Sequence, residues 1–283
     1  LIFENSQQRS TIWNLDCSTN VLHYKIHHHS PDSHWVTFVH GAGGNSSIWY
    51  KQVRAFKENF NVLLIDLRGH GKSKRPIYEK LKKYSFKVIG DEVIEVLDHL
   101  KINSSHFVGI SLGTIIIREI TERFPERTTS MVLGGAVMKL NTKGQLLMKI
   151  GDALKSVLPY LILYKIFAFV ILPKKSHRES RNLFINEAKK LYQKEFKRWF
   201  SLVAEVNPLL SFFRTKDSGV PTLYIMGEED HMFLPSIRKL ILNHSSAELY
   251  VISNCGHVVN VEQPDIFNNE AIQFMKRIVS SKY

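Results

Sequence analysis

The chain alternates between short, almost continuous apolar runs and longer stretches in which apolar residues recur every three or four positions. Trp35-Val36-Thr37-Phe38-Val39, Asn61-Val62-Leu63-Leu64-Ile65, His106-Phe107-Val108-Gly109 and Ser130-Met131-Val132-Leu133-Gly134 are of the first kind. Rich in β-branched and aromatic residues and without polar alternation, they read as strands buried on both faces of a parallel sheet. Segments 47–60, 91–100 and 114–124 are of the second kind; in 91–100, Val93, Ile94, Val96, Leu97 and Leu100 form one helical stripe. Strand alternating with helix predicts an α/β fold, a mostly parallel central sheet flanked by helices.

The alternation stops near Ala136 and resumes at Pro221, where Thr222–Met226 and Glu248–Ile252 again read as strands. The interval is helical. Ser176-His177-Arg178-Glu179 has the spacing of a capping box and opens a run in which Phe184, Ala188, Leu191, Phe196, Trp199, Phe200 and Val203 approximate one face. The expected organisation is a discontinuous core, residues 1–136 and 217–283, with a helical cap inserted at 137–216.

Charge sharpens that division. Of the net +12 of the 283 residues, the cap segment carries 16 basic and 5 acidic side chains, a net of +11. Such asymmetry suits an anionic partner surface. Within the cap, Tyr160–Leu172 holds thirteen residues with Lys165 as the sole charge, too short to span a bilayer. It is expected either as a helix buried between cap and core or as a segment part of which lines an apolar acyl tunnel or touches lipid. Lys149, Lys155, Lys174, Lys175 and Arg178 around it suit an anionic membrane surface. No nucleic-acid reader motif accompanies the basic residues, so nucleic acid is not expected as a partner.

Composition adds exclusions. With 44% apolar and 23% charged residues the chain is no disordered or low-complexity protein. Two distant cysteines, Cys17 and Cys255, exclude a disulfide scaffold and point to a reducing compartment. A cytoplasmic protein with peripheral membrane contact is the expectation, and a start at Leu1 rather than Met leaves room for an upstream anchor.

The chemistry centres on Gly109-Ile110-Ser111-Leu112-Gly113, between a strand run and a helical pattern. A serine on a sharp strand-to-helix turn needs neighbours without bulk, and the turn exposes its hydroxyl above the sheet edge where the next helix aims its amides. A base and an orienting acid are then required. The loop Gly227-Glu228-Glu229-Asp230-His231 supplies acids after one late strand, and Ser253-Asn254-Cys255-Gly256-His257 supplies a histidine after the last. Both would lie at the carboxyl edge of the sheet, where ligands bind in open α/β folds.

With these residues in order, the chain resembles the α/β-hydrolase superfamily, in its capped esterase, lipase and haloperoxidase-like branch. His40-Gly41-Ala42-Gly43-Gly44 resembles the family's oxyanion loop, and Asp66-Leu67-Arg68-Gly69-His70-Gly71-Lys72-Ser73 its Asp-x-Arg-Gly-x-Gly-x-Ser turn. Gly256-His257, followed by Glu262 and Pro264, resembles its terminal segment. The resemblance implies Ser111 as nucleophile, His257 as base, Asp230 rather than Glu228 or Glu229 as the orienting acid, and the backbone amides of Ala42 and Leu112 as oxyanion donors. Some relatives carry the acid after an earlier strand; Gly134-Gly135-Ala136-Val137 offers none here. No cofactor and no metal are implied. The expected activity is hydrolysis of carboxylic esters of hydrophobic acyl groups, of carboxylesterase or monoacylglycerol-lipase type. Thioester or carbon–carbon bond hydrolysis with the same triad, or a receptor on this fold, are the alternatives.

Other residues carry plainer readings. Gly69–Ser73 ends like a phosphate loop, but Asp66 stands where that motif needs glycine. His27-His28-His29 lacks the Cys or carboxylate company of a metal site. His70 and His231 are expected in surface or loop packing, and Cys255 as a small apolar filler.

Overall fold

The computed structural model describes residues 21–73, 84–139, 144–146, 150–151, 153, 158–191 and 193–281. Cys17, Lys149, Lys155 and the Val203 side chain lie outside them. Among the described residues seven strands form one sheet in the order β1-β3-β2-β4-β5-β6-β7: β1 Tyr24–His27, β2 Trp35–Val39, β3 Asn61–Ile65, β4 Ser105–Ile110, β5 Thr128–Gly134, β6 Thr222–Gly227 and β7 Ala247–Ile252. β1 runs antiparallel to β3 and every other pair is parallel. The apolar runs became the inner strands. Every residue of β3, β4, β5 and β6 is buried, whereas edge strand β7 alternates half-buried with exposed residues.

Helices cover both faces. α1 (Tyr50–Phe56) precedes β3, α2 (Phe86–His99) precedes β4, and α3 (Leu112–Arg123) follows β4. Between β5 and β6 the described residues include α4 (Tyr160–Ile171), α5 (Arg178–Ala188), α6 (Gln193–Ser201) and α7 (Val203–Thr215). α8 (Leu234–Leu240) follows β6, and the short α9 (Val259–Glu262) and α10 (Pro264–Ser280) follow β7. On one face Ile89, Val93, Val96 and Leu97 of α2 pack with Ile116, Ile117 and Ile120 of α3. All seven are 0% exposed, and burying an aliphatic side chain so completely contributes roughly 1.5–3 kcal/mol. On the other face Phe56 packs with Phe267, Phe274 and Met275 of α10. Leu210 and Phe213 of α7 join the first of these clusters, so the inserted helices are continuous with the sheet's own core.

Several local expectations are corrected. The helical pattern 47–60 is a short 3-10 turn, Ser46–Trp49, followed by α1, which stops at Phe56 because Phe60 must enter the core just before β3. The helix read as 91–100 begins at Phe86, where Ser85 Oγ accepts the Val88 amide. The Ser176/Glu179 capping box does not form. His177 occupies the cap position because its ring is drawn into the core, and Glu179 pairs with Lys51 instead, at 3.1 Å. The single face expected from Phe184 to Val203 is split between α5 and α6: Ala188, Leu191, Phe196 and Phe200 cluster with Leu163 and Tyr164, but Trp199 turns into the main core. Among the described residues, no helix is long and apolar enough to cross a membrane.

Candidate active site

Ser111 stands between β4 and α3 at φ 53°, ψ −121°. Positive φ is unfavourable for a residue with a Cβ, and the turn tolerates it because the surroundings leave no other path. A Cβ on Gly113 would lie 2.2 Å from the Val39 carbonyl oxygen, so only glycine lets the helix start this close to β2. The hydroxyl is thereby held at the carboxyl edge of the sheet, where the loops after β6 and β7 bring the other two side chains.

His257 Nε2 lies 3.0 Å from Ser111 Oγ, and His257 Nδ1 lies 2.7 Å from Asp230 Oδ2. With a carboxylate as acceptor, Nδ1 carries the proton and Nε2 accepts from the serine. Asp230 is 1% exposed and its Oδ1 accepts the Phe233 amide at 3.2 Å. The histidine loop is fixed from behind: Glu262 accepts the amides of Gly256 at 2.7 Å and Val258 at 3.2 Å, one on each side of His257. The two neighbouring acids are placed elsewhere. Glu228 is exposed, and Glu229 points at the inserted helices, 2.7 Å from Lys174 Nζ and 2.7 Å from His177 Nε2. The Lys174 ammonium, then the His177 ring, hold the Glu229 carboxyl below the usual range.

The loop 40–44 closes over the start of α3. Ala42 and Leu112 both line the cavity at Ser111, and neither amide has a protein acceptor among the described residues. Leu112 is the first residue of α3, where an amide has no partner within the helix. Three side chains set this loop. His40 Nε2 accepts the Leu67 amide at 3.0 Å, and burial holds its ring below the usual histidine range, so it stays neutral. His70 Nε2 accepts the Gly43 amide at 3.0 Å. From α4, Tyr164 donates its hydroxyl to the Ala42 carbonyl, and Gly43, at φ 71°, has no Cβ because Tyr164 fills that space. His70 is therefore no surface residue: it is 2% exposed and packed between His40 and Trp199. Nothing in the sequence alone marked it or Tyr164.

A cavity of about 200 Å³ opens beside Ser111, walled by Phe86 and Ile115 from the core and by Tyr164, Phe167, Trp199 and Phe200 from the inserted helices. Its wall is almost wholly apolar. The Asp66 turn below is structural: the carboxylate accepts the amides of Ser46 at 2.7 Å and Lys72 at 2.9 Å. Burial alone would raise the Asp66 carboxyl, but these bonds and the His23 ring outweigh it and hold it well below the usual range. His28 packs edge-on against Trp35, and His29 Nδ1 donates to the Lys57 carbonyl. Among the described residues no cluster of three or more His, Cys, Asp or Glu side chains forms a metal site. Cys255 is fully buried, its thiol pushed up by burial and then by Glu262, Glu229 and Asp230.

Residues 34–264 match the family model described as the alpha/beta hydrolase fold. The chain belongs to the α/β-hydrolase family. It is 26% identical over 258 residues to 3-oxoadipate enol-lactonase 2 of Acinetobacter baylyi, covering 86% of this chain and 88% of that protein. A carboxylesterase structure from the thaumarchaeon Nitrososphaera gargenis superposes with a TM-score of 0.75 at 20% identity, over 92% of this chain and 95% of the other. A meta-cleavage product hydrolase of Pseudomonas fluorescens superposes with a TM-score of 0.66 at 23% identity, over 90% and 95%. The family match and the enol-lactonase relative support a hydrolase, and the two superposed structures show the shared fold. The printed names differ in the substrate they give, and fold alone does not fix one.

Proposed function

We propose that this α/β-hydrolase cleaves carboxylic esters of apolar acyl groups through an acyl-enzyme. Ser111 attacks, His257 takes its proton and returns it to the leaving alcohol, and Asp230 holds the imidazole tautomer and stabilises the imidazolium. The amides of Ala42 and Leu112 receive the oxyanion, and as fixed donors they need no reorganisation when charge develops. The observation that carries this reading is the 3.0 Å contact between Ser111 and His257 at the mouth of an apolar cavity. A carbon–carbon or thioester substrate would use the same three side chains, but the wall of that cavity offers a polar diketone little to hydrogen-bond.

On p-nitrophenyl esters of graded length, kcat/KM is expected to rise about fourfold per added methylene until the cavity is full, from roughly 0.8 kcal/mol per buried CH₂. Acyl groups ending in a carboxylate should be turned over at least about a hundredfold more slowly, since burying an unpaired charge is costly. Preference for acetate or for a charged acyl group would sink the reading.

The place of action we propose is an anionic lipid surface. Of the ten large apolar side chains exposed among the described residues, five fall between 146 and 169: Leu146, Ile150, Ile162, Ile166 and Phe169. Ile162, Ile166 and Phe169, with Lys165 between them, form the outer stripe of α4, whose inner face carries Tyr164 and Phe167. The expected buried helix is thus buried on one side only. Arg181 covers the Phe169 ring, and Lys175 and Arg178 are exposed, neither they nor Lys165 in an ion pair among the described residues. Vesicles containing about one third phosphatidylserine should sediment the protein, less so as salt rises, and Ile166→Ser with Phe169→Ser should weaken this at least about tenfold. Equal binding to neutral phosphatidylcholine vesicles would remove the idea, as would a dimer abolished by the same two substitutions.

A further inference from the structure

A second cavity, of about 30 Å³, shares Ala42, Ser111 and Phe184 with the larger one but is bounded otherwise by different residues, His257 among them. α5 forms part of its wall with Ser180, Leu183, Phe184 and Glu187, positions i, i+3, i+4 and i+7 and therefore one helical face. The middle of that face is apolar and its two ends are polar, although both ends are buried: Ser180 is 1% exposed and Glu187 7%. Ser180 Oγ has no hydrogen-bond partner among the described residues. Glu187 accepts from Asn45 Nδ2 and, at 2.6 Å, from Lys190 Nζ, and a carboxylate has acceptor sites beyond these two. Buried hydroxyls are nearly always paired, so an unpaired one on a residue that lines a chamber beside Ser111 marks a place where something else completes the bond.

Resting on the ester-hydrolase reading, we propose that this chamber is the leaving-group site and that it takes a short alcohol bearing a second hydroxyl. The position of His257 decides which half of the ester goes where. When Ser111 Oγ bonds to the acyl carbon, the ester carbon–oxygen bond breaks and the departing oxygen takes the proton that His257 removed from the serine. That oxygen must therefore sit against His257, which lines the small chamber and not the large one. The acyl chain fills the apolar cavity, and water later returns Ser111 and releases the acid. A chamber of about 30 Å³ has room for two or three water-sized groups, which matches a hydroxyethyl group rather than a sugar or a long alcohol. Its free hydroxyl donates to Glu187 and accepts from Ser180. The substrate class is thus a monoester of an apolar acid with a short diol or similar polyol.

Hydroxyethyl octanoate and n-propyl octanoate share the acyl group and have leaving groups of equal heavy-atom number, so their kcat/KM ratio reads the chamber alone. The wild-type ratio is expected to be about tenfold or more in favour of the hydroxyethyl ester. Ser180→Ala, which removes one hydroxyl without disturbing an existing bond, should bring the ratio toward one, and Glu187→Gln should lower it as well. A wild-type ratio near one in an active enzyme overturns the assignment and leaves the chamber to solvent, as does a ratio that Ser180→Ala does not change. Failure to turn over either ester, with no fluorophosphonate adduct at Ser111, overturns the ester-hydrolase reading itself and this site with it.

Discussion

Ser111→Ala is expected to lower kcat on a preferred ester by about 10⁶, leaving a residue of catalysis from bound substrate and the oxyanion donors. Covalent labelling by a fluorophosphonate probe should vanish with it. The structure makes this substitution a clean one. The hydroxyl makes its side-chain hydrogen bond to His257, and the backbone at φ 53° is about as awkward for alanine as for serine, so the fold has no new strain to absorb. A thermal midpoint within a few degrees of wild type, read by circular dichroism, is therefore part of the expectation. Labelling that persists in the variant, or turnover that does, would show that another group attacks.

Asp230→Asn should cost about 10⁴ in kcat. An amide has one acceptor oxygen and one donor nitrogen, while the position demands two acceptors, for His257 Nδ1 and for the Phe233 amide. If the nitrogen faces His257, the ring must carry its proton on Nε2, pointing at Ser111, where it cannot act as base. If the oxygen faces His257, the nitrogen meets the Phe233 amide, and the imidazolium formed in the reaction still lacks a counter-charge. Glu228→Gln is the matched control two residues away on an exposed side chain, and kcat there should stay within about twofold. Equal losses in the two variants would mean that the acid is not Asp230.

The sheet was legible in the sequence because it depends on local pattern, whereas Asp230 and His257 were singled out through their resemblance to family motifs; in the structure both join one hydrogen-bonded row with Ser111. Val62–Ile65 and Phe107–Ile110 are apolar without interruption, a pattern that strands sandwiched between helices require, and Ser111 is flanked by the small residues its turn needs. β1, the half-buried antiparallel edge, has no such run, so that pattern does not mark it. What stayed hidden depends on contacts between segments distant in the chain. Tyr164 reads as one more apolar residue in its tract until its hydroxyl is seen on Ala42, and nothing in the local sequence marks Ser180 and Glu187 as lining one cavity with Ser111. His177 shows the same limit in local structure: a capping box is a property of four residues, but the pull of Glu229 on the ring is not.

The inserted helices are pegged to the parts of the core that hold the chemistry. Tyr164 reaches Ala42, Glu187 reaches Asn45, Lys174 and His177 reach Glu229 beside Asp230, and Trp199 Nε1 donates to the Arg68 carbonyl beside His70. Substrate range and reactivity are for this reason unequally free to evolve. Side chains between the pegs, such as Phe167 or Phe200, can be exchanged to reshape the accepted acyl group, whereas a graft of the whole covering segment from a relative would bring foreign pegs and detune the machinery beneath. A library meant to redirect this protein should randomise the former and keep the latter constant.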